Sequence, residues 1–353
     1  MTRDGHPKPC DAESAEVLRR AAVATGRQPM AVKHWSRAGI MITDWCNSSC
    51  ACCYARCGPT GSHWMSPEDA LKIWAGLHRA SPHGCRVHLT GGEPFARPEL
   101  LLDICRRGHQ QGLALESVET NAFWAVDERV AAELLARLDG LGMGRLAISC
   151  DPYHQQYVPL QRCRRLAAVA GEILGPDRVK VRWQQWLDEG FDTAELPPQR
   201  LAQVLSDWAA GGRERFTGAA ADGLDAAVAH RGAEEFDHSP CAEVLLRGKH
   251  VHVSPQGQVW PATCIGICVG NALDEPAGAL WRRLSDNYAQ FPVIGDLALR
   301  GPAALLAAAQ EAGYRQRQGG YATKCQLCYD LRRFLHCRGL FDAYLGPDGV
   351  YAG

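Results

Sequence analysis

From Ala38 to about residue 225 the chain alternates short β-branched runs with amphipathic helical stretches, and this alternation constrains its fold most. The runs AGIMITDW, RVHLT, LALESVET, RLAIS and RVKVRW read as strands, and RERFTG as a sixth. Between them SPEDALKIWAGLHRA reads as a helix with Ser66 as N-cap and Pro67 at its first position. RPELLLDICRRGHQQG is a helix closed by Gly112. DERVAAELLARLDGLG, PLQRCRRLAAVAGEILG and PPQRLAQVLSDWAA complete the set. Strands recurring every ~30 residues with a helix between each pair mean βαβ units and parallel pairing. Periodicity leaves an open sheet and a barrel both possible.

The texture changes beyond residue 225. Residues 226–240 read as a linker, and KHVHVSPQGQVWPA as two strands around a Pro255-Gln256-Gly257 turn. GPAALLAAAQEAGYRQRQ reads as a helix and is followed by CQLC. The division expected is an extension over 1–37, too short for an independent fold, an α/β unit over 38–225, a cysteine-rich unit over 241–340 and a tail over 341–353. A net charge of −1 lacks the basic footprint of a nucleic-acid binder. The ten tryptophans, with no basic stripe beside them, are expected in packing. MTRDGHPKPCDAESAEVLRR lacks the apolar core of a signal peptide, and no apolar run would span a bilayer. The expectation is a cytoplasmic enzyme with neither nucleic-acid nor membrane partner.

Sixteen cysteines are then the anomaly, with five at 46–57 and six at 241–337. In a reducing compartment such clustering points to metals or catalysis, not disulfides. Cys46, Cys50 and Cys53 stand as C-x3-C-x2-C in the loop after the first strand. Three thiolates on a four-iron cluster leave one iron with an open position. One βα unit later comes LTGGEPF, with Gly91, Gly92, Glu93 and Pro94 closing the second strand. Its glycines allow close backbone approach, and Glu93 can accept from a cationic amine.

Together these motifs resemble the signature of the radical S-adenosylmethionine (SAM) superfamily. The resemblance implies a partial parallel (β/α)6 barrel with a small cysteine-rich C-terminal domain of β-hairpin plus helix. It also implies a [4Fe-4S] cluster on Cys46, Cys50 and Cys53 that binds SAM through the open iron. The residue before the third cysteine is usually aromatic in this family. Here it is Cys52, so either Cys52 or Cys53 can be the third ligand, and the spacing favours Cys53. Cys57 and Cys52 are otherwise expected as bystanders, and a zinc knuckle lacks a paired C-x2-C nearby. The GGEP residues would bind the cofactor's amino group. Thr120 and Asn121 in ETNA, Ser149 in ISCDPYH and Arg182 on the fifth strand would reach the cofactor from other strand ends, where helix capping is the competing role. His154 and Tyr153, flanking the end of the fourth strand, are candidates for proton removal, Asp151 stands close to Ser149 as a further catalytic candidate, and Cys150 is a candidate for hydrogen-atom donation.

The second cysteine group, Cys241, Cys264, Cys268, Cys325, Cys328 and Cys337, resembles the SPASM and twitch extensions that hold auxiliary [4Fe-4S] clusters. Six thiols are two short of closing two clusters, so one auxiliary cluster is expected, on Cys241, Cys264, Cys325 and Cys328. Cys268 rivals Cys264, and a zinc site would use the same residues. The implied reaction is reductive cleavage of SAM to a 5′-deoxyadenosyl radical, fed by an external one-electron reductant of the flavodoxin or ferredoxin type. That radical removes hydrogen from a ribosomally made peptide or from a small molecule such as a sugar, nucleoside or amino-acid derivative. A non-catalytic iron–sulfur electron carrier is the rival of another class.

Overall fold

A computed structural model describes residues 30–212 and 214–352. Strands β1 (Arg37–Met41), β2 (Arg86–Thr90), β3 (Leu115–Thr120), β4 (Arg145–Ser149) and β5 (Val179–Arg182) pair in parallel and in chain order. Helices α1 (Pro67–Ala80), α2 (Pro98–Gln110), α3 (Glu128–Gly140) and α4 (Leu160–Leu174) connect them, and α5 (Gln184–Glu189) and α6 (Pro198–Ala210) follow β5. The α/β class and the parallel sheet are those the alternation calls for. The start of α1 is as read: Ser66 accepts from the Asp69 amide at 3.0 Å, with proline at the first helical position.

The sixth parallel strand is not RERFTG. Residues 214–217 have no regular structure, and Phe216 sits at φ +53°, which breaks extended pairing. This segment instead lies on the cysteine loop, where the Ala219 amide donates to the Cys53 carbonyl at 2.9 Å. The sixth parallel strand is β6 (His250–Val253), which joins the sheet beside β1. Strands β7 (Gln258–Pro261) and β8 (Gly270–Asn271) continue antiparallel, giving the order β5-β4-β3-β2-β1-β6-β7-β8. The hairpin read around Gly257 is therefore present, but its first strand extends the main sheet.

Short helices α7 (Ala242–Leu245), α8 (Ala277–Asn287), α9 (Ile294–Leu299) and α10 (Ala304–Glu311) precede the long α11 (Lys324–Cys337) and the final turn α12 (Asp348–Tyr351). The helix expected over 301–318 spans only α10. Among the described residues no helix is long and apolar enough to cross a membrane.

Strand alternation divides the sheet into two chemistries. Ala38, Ile40, Val87, Leu89, Leu146, Ile148, Val251 and Val253 are fully buried and form the core on one face. Their alternates, among them His88, Thr90, Ser149, Lys180, Arg182, His250 and His252, line a cavity of about 540 Å³ on the other. The sheet's concave side is thus polar.

Candidate functional site

The cavity's upper rim is the loop after β1, and backbone pairing holds it. Thr43 bridges Trp64 and Trp45 bridges Gly58, while the Cys46 amide donates to the Gly58 carbonyl at 3.0 Å. A tight turn, with the Cys53 amide on the Cys50 carbonyl at 2.9 Å, folds the motif back on itself. Cys46, Cys50, Cys52, Cys53 and Cys57 all line the cavity. Without metal, burial pushes the Cys46 thiol up to about 12 and Cys50 higher still, and the Cys53 sulfur adds to both. A bound iron would displace those protons. Hydrogen bonding from the Cys57 thiol brings Cys53 down to about 6.

GGEP meets this loop directly. The Gly92 amide donates to the Thr43 carbonyl and the Glu93 amide to the Trp45 carbonyl, both at 2.8 Å. A Cβ at Gly91 would lie 2.3 Å from the Thr43 oxygen, and one at Gly92 1.8 Å from the Trp45 oxygen. The close approach these glycines permit is therefore to the cysteine loop's own backbone. Pro94 opens a one-turn 3₁₀ helix capped by Glu93. The Glu93 side chain is fully buried and accepts from the Phe95 amide at 3.0 Å, the Thr120 hydroxyl at 2.9 Å and the Asn121 amide at 2.7 Å. It ties together the loops after β2 and β3. Burial pushes its acid up to about 7, against the pull of those three donors.

Thr120 also accepts from the Ala122 amide and the Trp124 indole, each at 3.0 Å. Asn121 reaches back to the cysteine loop. Its Nδ2 donates to Asn47 Oδ1 at 2.8 Å and stands 3.6 Å from Cys46 Sγ. Sequence reasoning missed Asn47 and Ser48 as members of this network, although they stand inside the cysteine motif.

Ser149 and Arg182 are register partners at the ends of β4 and β5, and both line the cavity. Asp151 and His154 line it too, with Asp151 Oδ2 at 2.7 Å from His154 Nδ1. Burial would raise the Asp151 acid, but the His154 ring holds it below the usual carboxylate range. In turn Asp151 raises the imidazole against burial. Ligand atoms of Cys52, Asp151 and His154 lie within 4.8 Å of one another. Cys150 does not join them and is not among the residues that line the cavity. Alternation turns it away from the cavity, fully buried, with its sulfur 3.9 Å from Gln155 Nε2. The Tyr153 hydroxyl donates to the Leu205 carbonyl at 3.1 Å.

The second cysteine group is assembled from three segments. Cys241 caps α7, Cys264 follows β7, and Cys325 and Cys328 occupy the first turn of α11. Burial and one another's sulfurs push Cys241 up to about 11 and Cys264 to about 12. Cys268 is turned elsewhere, with its thiol donating to the Gly346 carbonyl at 3.3 Å. Cys337 is exposed at the far end of α11. Arg332, one turn beyond Cys328, is buried; its Nε stands 3.3 Å from the Cys328 sulfur and its Nη1 donates to the Ile265 carbonyl at 2.8 Å. The i, i+4 spacing from Cys328 was the available signal for it.

The donor set fits the group that the cysteine motif implies: five loop thiols, Cys46, Cys50 and Cys53 among them, face one polar cavity, and an amide N–H is aimed at the Cys46 sulfur. Residues 40–167 match the family profile of the Radical SAM superfamily. An S-adenosylmethionine-dependent nucleotide dehydratase of Fibrobacter sp. (strain UWH6) is 28% identical over 85 residues, which is 23% of this chain and 25% of that protein. The chain thus spans about a quarter of that relative's length. Among solved structures, BtrN in complex with AdoMet and 2-DOIA aligns at a TM-score of 0.45 and 14% identity, covering 76% of this chain and 88% of that one. The anSMEcpe structure with AdoMet and the Cp18Cys peptide aligns at 0.42 and 13%, covering 86% and 97%. Streptococcus suis SuiB bound to precursor peptide SuiA aligns at 0.39 and 11%, covering 99% and 84%. By its family match, and by the C-x3-C-x2-C and GGEP residues inside the matched span, the chain carries a radical SAM domain over residues 40–167.

Proposed function

We propose that this protein is a radical SAM enzyme that removes hydrogen from a polar substrate held on the concave side of its sheet. The single observation that carries the reading is Cys46, Cys50 and Cys53 on one loop, facing a polar cavity of about 540 Å³. When bound, the iron–sulfur cluster and S-adenosylmethionine supply the reductive C–S cleavage and the hydrogen-abstracting radical.

The chain's own residues do the rest. Cys46, Cys50 and Cys53 would hold the cluster, and Cys53 is favoured over Cys52 because it keeps the C-x3-C-x2-C spacing. Asn121 would donate to a ligand sulfur and so raise its potential. Ser149, Arg182 and the GGEP backbone are positioned to orient the cofactor's polar groups. His154, fixed through Nδ1 by Asp151, offers Nε2 as the point where a substrate proton is held or moved. Arg37, Glu116, Glu119, Arg145 and Lys180 give the wall charges of both signs, which favours a small zwitterionic molecule or a polar peptide residue over an apolar side chain. The Fibrobacter relative is a nucleotide dehydratase, and peptide and nucleotide substrates both stay within this reading.

Cys241, Cys264, Cys325 and Cys328 would hold an auxiliary [4Fe-4S] cluster. Among the described residues no three of these sulfurs fall within 4.8 Å of one another, wider than the ~3.8 Å that tetrahedral zinc with ~2.3 Å bonds imposes. Thr263, the neighbour of Cys264, lines the cavity, which places this cysteine group beside it. The test is anaerobic reconstitution followed by SAM and dithionite. Wild type should form 5′-deoxyadenosine, and the protein with Cys46, Cys50 and Cys53 all replaced by alanine should form none. Undiminished product from that variant sinks the reading.

A further inference from the structure

The cavity wall below Thr90 holds a group of side chains that the radical chemistry leaves unused. His88 on β2 and His250 and His252 on β6 all face the cavity, and one ring nitrogen from each lies within 4.8 Å of the others. β1 runs between those two strands, and Gly39 is the register partner of both His88 and His252. A Cβ at residue 39 would come within 2.5 Å of both His88 Nε2 and His252 Cδ2. The two rings converge across an intervening strand only because that strand has no side chain there.

Each ring nitrogen then has a distinct situation. His252 Nδ1 is 2.6 Å from the Ala262 carbonyl, which can only accept. That bond places the proton on Nδ1 and leaves the Nε2 lone pair free, the outer-shell arrangement that orients metal-binding histidines. His250 Nε2 is buried with no hydrogen-bond partner, a rare state for a buried polar atom. His88 Nε2 stands 3.8 Å from Glu119 Oε1, outside hydrogen-bond reach. Glu119 is itself steadied by the Thr90 hydroxyl at 2.8 Å. The rings pack at centroid separations of 4.5, 5.1 and 5.6 Å, with nothing between them to satisfy their nitrogens.

We propose that His88, His250 and His252 bind one divalent transition-metal ion of the zinc class on the cavity wall, with Glu119 beside it. Three imidazoles suit zinc, and three protein ligands leave a position open. That position faces the cavity, where it would take an anionic oxygen or an amine of the substrate and hold it two residues, ~7 Å, below the strand ends. The ligands are histidines throughout, so the site is independent of both cysteine groups. The rival reading is a metal-free polar wall whose imidazoles bond the substrate directly.

The experiment uses the full chain with its iron reconstituted anaerobically, titrated with Zn²⁺ alone against a chromophoric chelator. Zinc K-edge absorption on the same sample reports the ligands. Wild type should bind one tight equivalent with nitrogen scatterers near ~2.0 Å and imidazole outer shells. His250→Gln should weaken Zn²⁺ by roughly 100-fold or more at unchanged iron content, since even partners one shell out are worth 10–100-fold. Absence of tight zinc in wild type, sulfur scatterers near ~2.3 Å, or unchanged affinity in His250→Gln would overturn the proposal. Should His250→Gln fail to fold, the wild-type spectrum decides, imidazole shells supporting the site and sulfur shells refuting it. 5′-Deoxyadenosine formation, measured in parallel, reports on the radical reading separately.

Discussion

Replacing Glu93 with glutamine exchanges one carboxylate oxygen for an NH₂ group in a place where three donors already point. The Phe95 amide and the Thr120 hydroxyl share Oε1, and the Asn121 amide takes Oε2. In one orientation the new amide faces the Asn121 N–H, and in the other the Phe95 N–H. Thr120 can rotate its hydroxyl, but the backbone donors cannot. One buried N–H therefore loses its acceptor in either case, at a cost of about 1–3 kcal/mol. The pH dependence adds a second signature. Burial raises the Glu93 acid from 4.5 to about 7. A raised folded-state value means that this stabilisation is fully present below 4.5 and is lost as pH rises toward 7. Glutamine carries no such dependence, so the substitution should cost more at pH 5 than at pH 7.5, by up to about 3 kcal/mol. Urea unfolding of the metal-free, reduced protein, followed by far-UV circular dichroism at both pH values, measures this directly. A stability difference between the two proteins that does not change from pH 5 to pH 7.5 would refute the brace.

Three further outcomes are expected. Cys52→Ala should retain most SAM cleavage while Cys53→Ala loses cluster and cleavage together; the reverse pattern would reassign the third ligand to Cys52. The Cys325→Ala/Cys328→Ala double variant should keep about half the iron by Mössbauer spectroscopy and still form 5′-deoxyadenosine without turning over substrate, whereas zinc at that site in wild type would remove the auxiliary cluster. Arg332→Met deletes a buried cation whose Nε stands 3.3 Å from the Cys328 sulfur, so the auxiliary cluster's potential should move negative in an EPR-monitored redox titration while the SAM-binding cluster's stays put; an unmoved potential would separate Cys328 from the iron.

Local chemistry was what the sequence displayed well, and long-range pairing was what it hid. RVHLT already alternates Val87 and Leu89 with His88 and Thr90, so one polar and one apolar face could be read from it. That His88 would meet His250 and His252 could not, because it requires β6 to pair with β1, a contact between residues more than 200 apart. RERFTG reads as the sixth strand because it follows the helix PPQRLAQVLSDWAA, where a simple barrel would continue. Nothing in its composition announced that Phe216 takes a left-handed conformation against the cysteine loop. Likewise the C-x2-C spacing of Cys325 and Cys328 was visible. That the Cys268 thiol donates to the Gly346 carbonyl, from the far end of the chain, was not.

The strand that was hidden is also the one that joins the two halves of the proposed chemistry. The β6–β7 hairpin carries Ala262 onto the His252 ring and, two residues later, Cys264 beside Cys325 and Cys328. The 214–217 segment lies between the two sites, with the Thr323 hydroxyl at the head of α11 donating to the Arg215 carbonyl at 3.0 Å. Had β6 paired with β5 instead, as in a simple six-fold progression, the histidines would face Lys180 and Arg182, and the hairpin's cysteines would lie across the sheet from the loop that holds Cys46, Cys50 and Cys53. Strand order therefore sets which chemistry neighbours which.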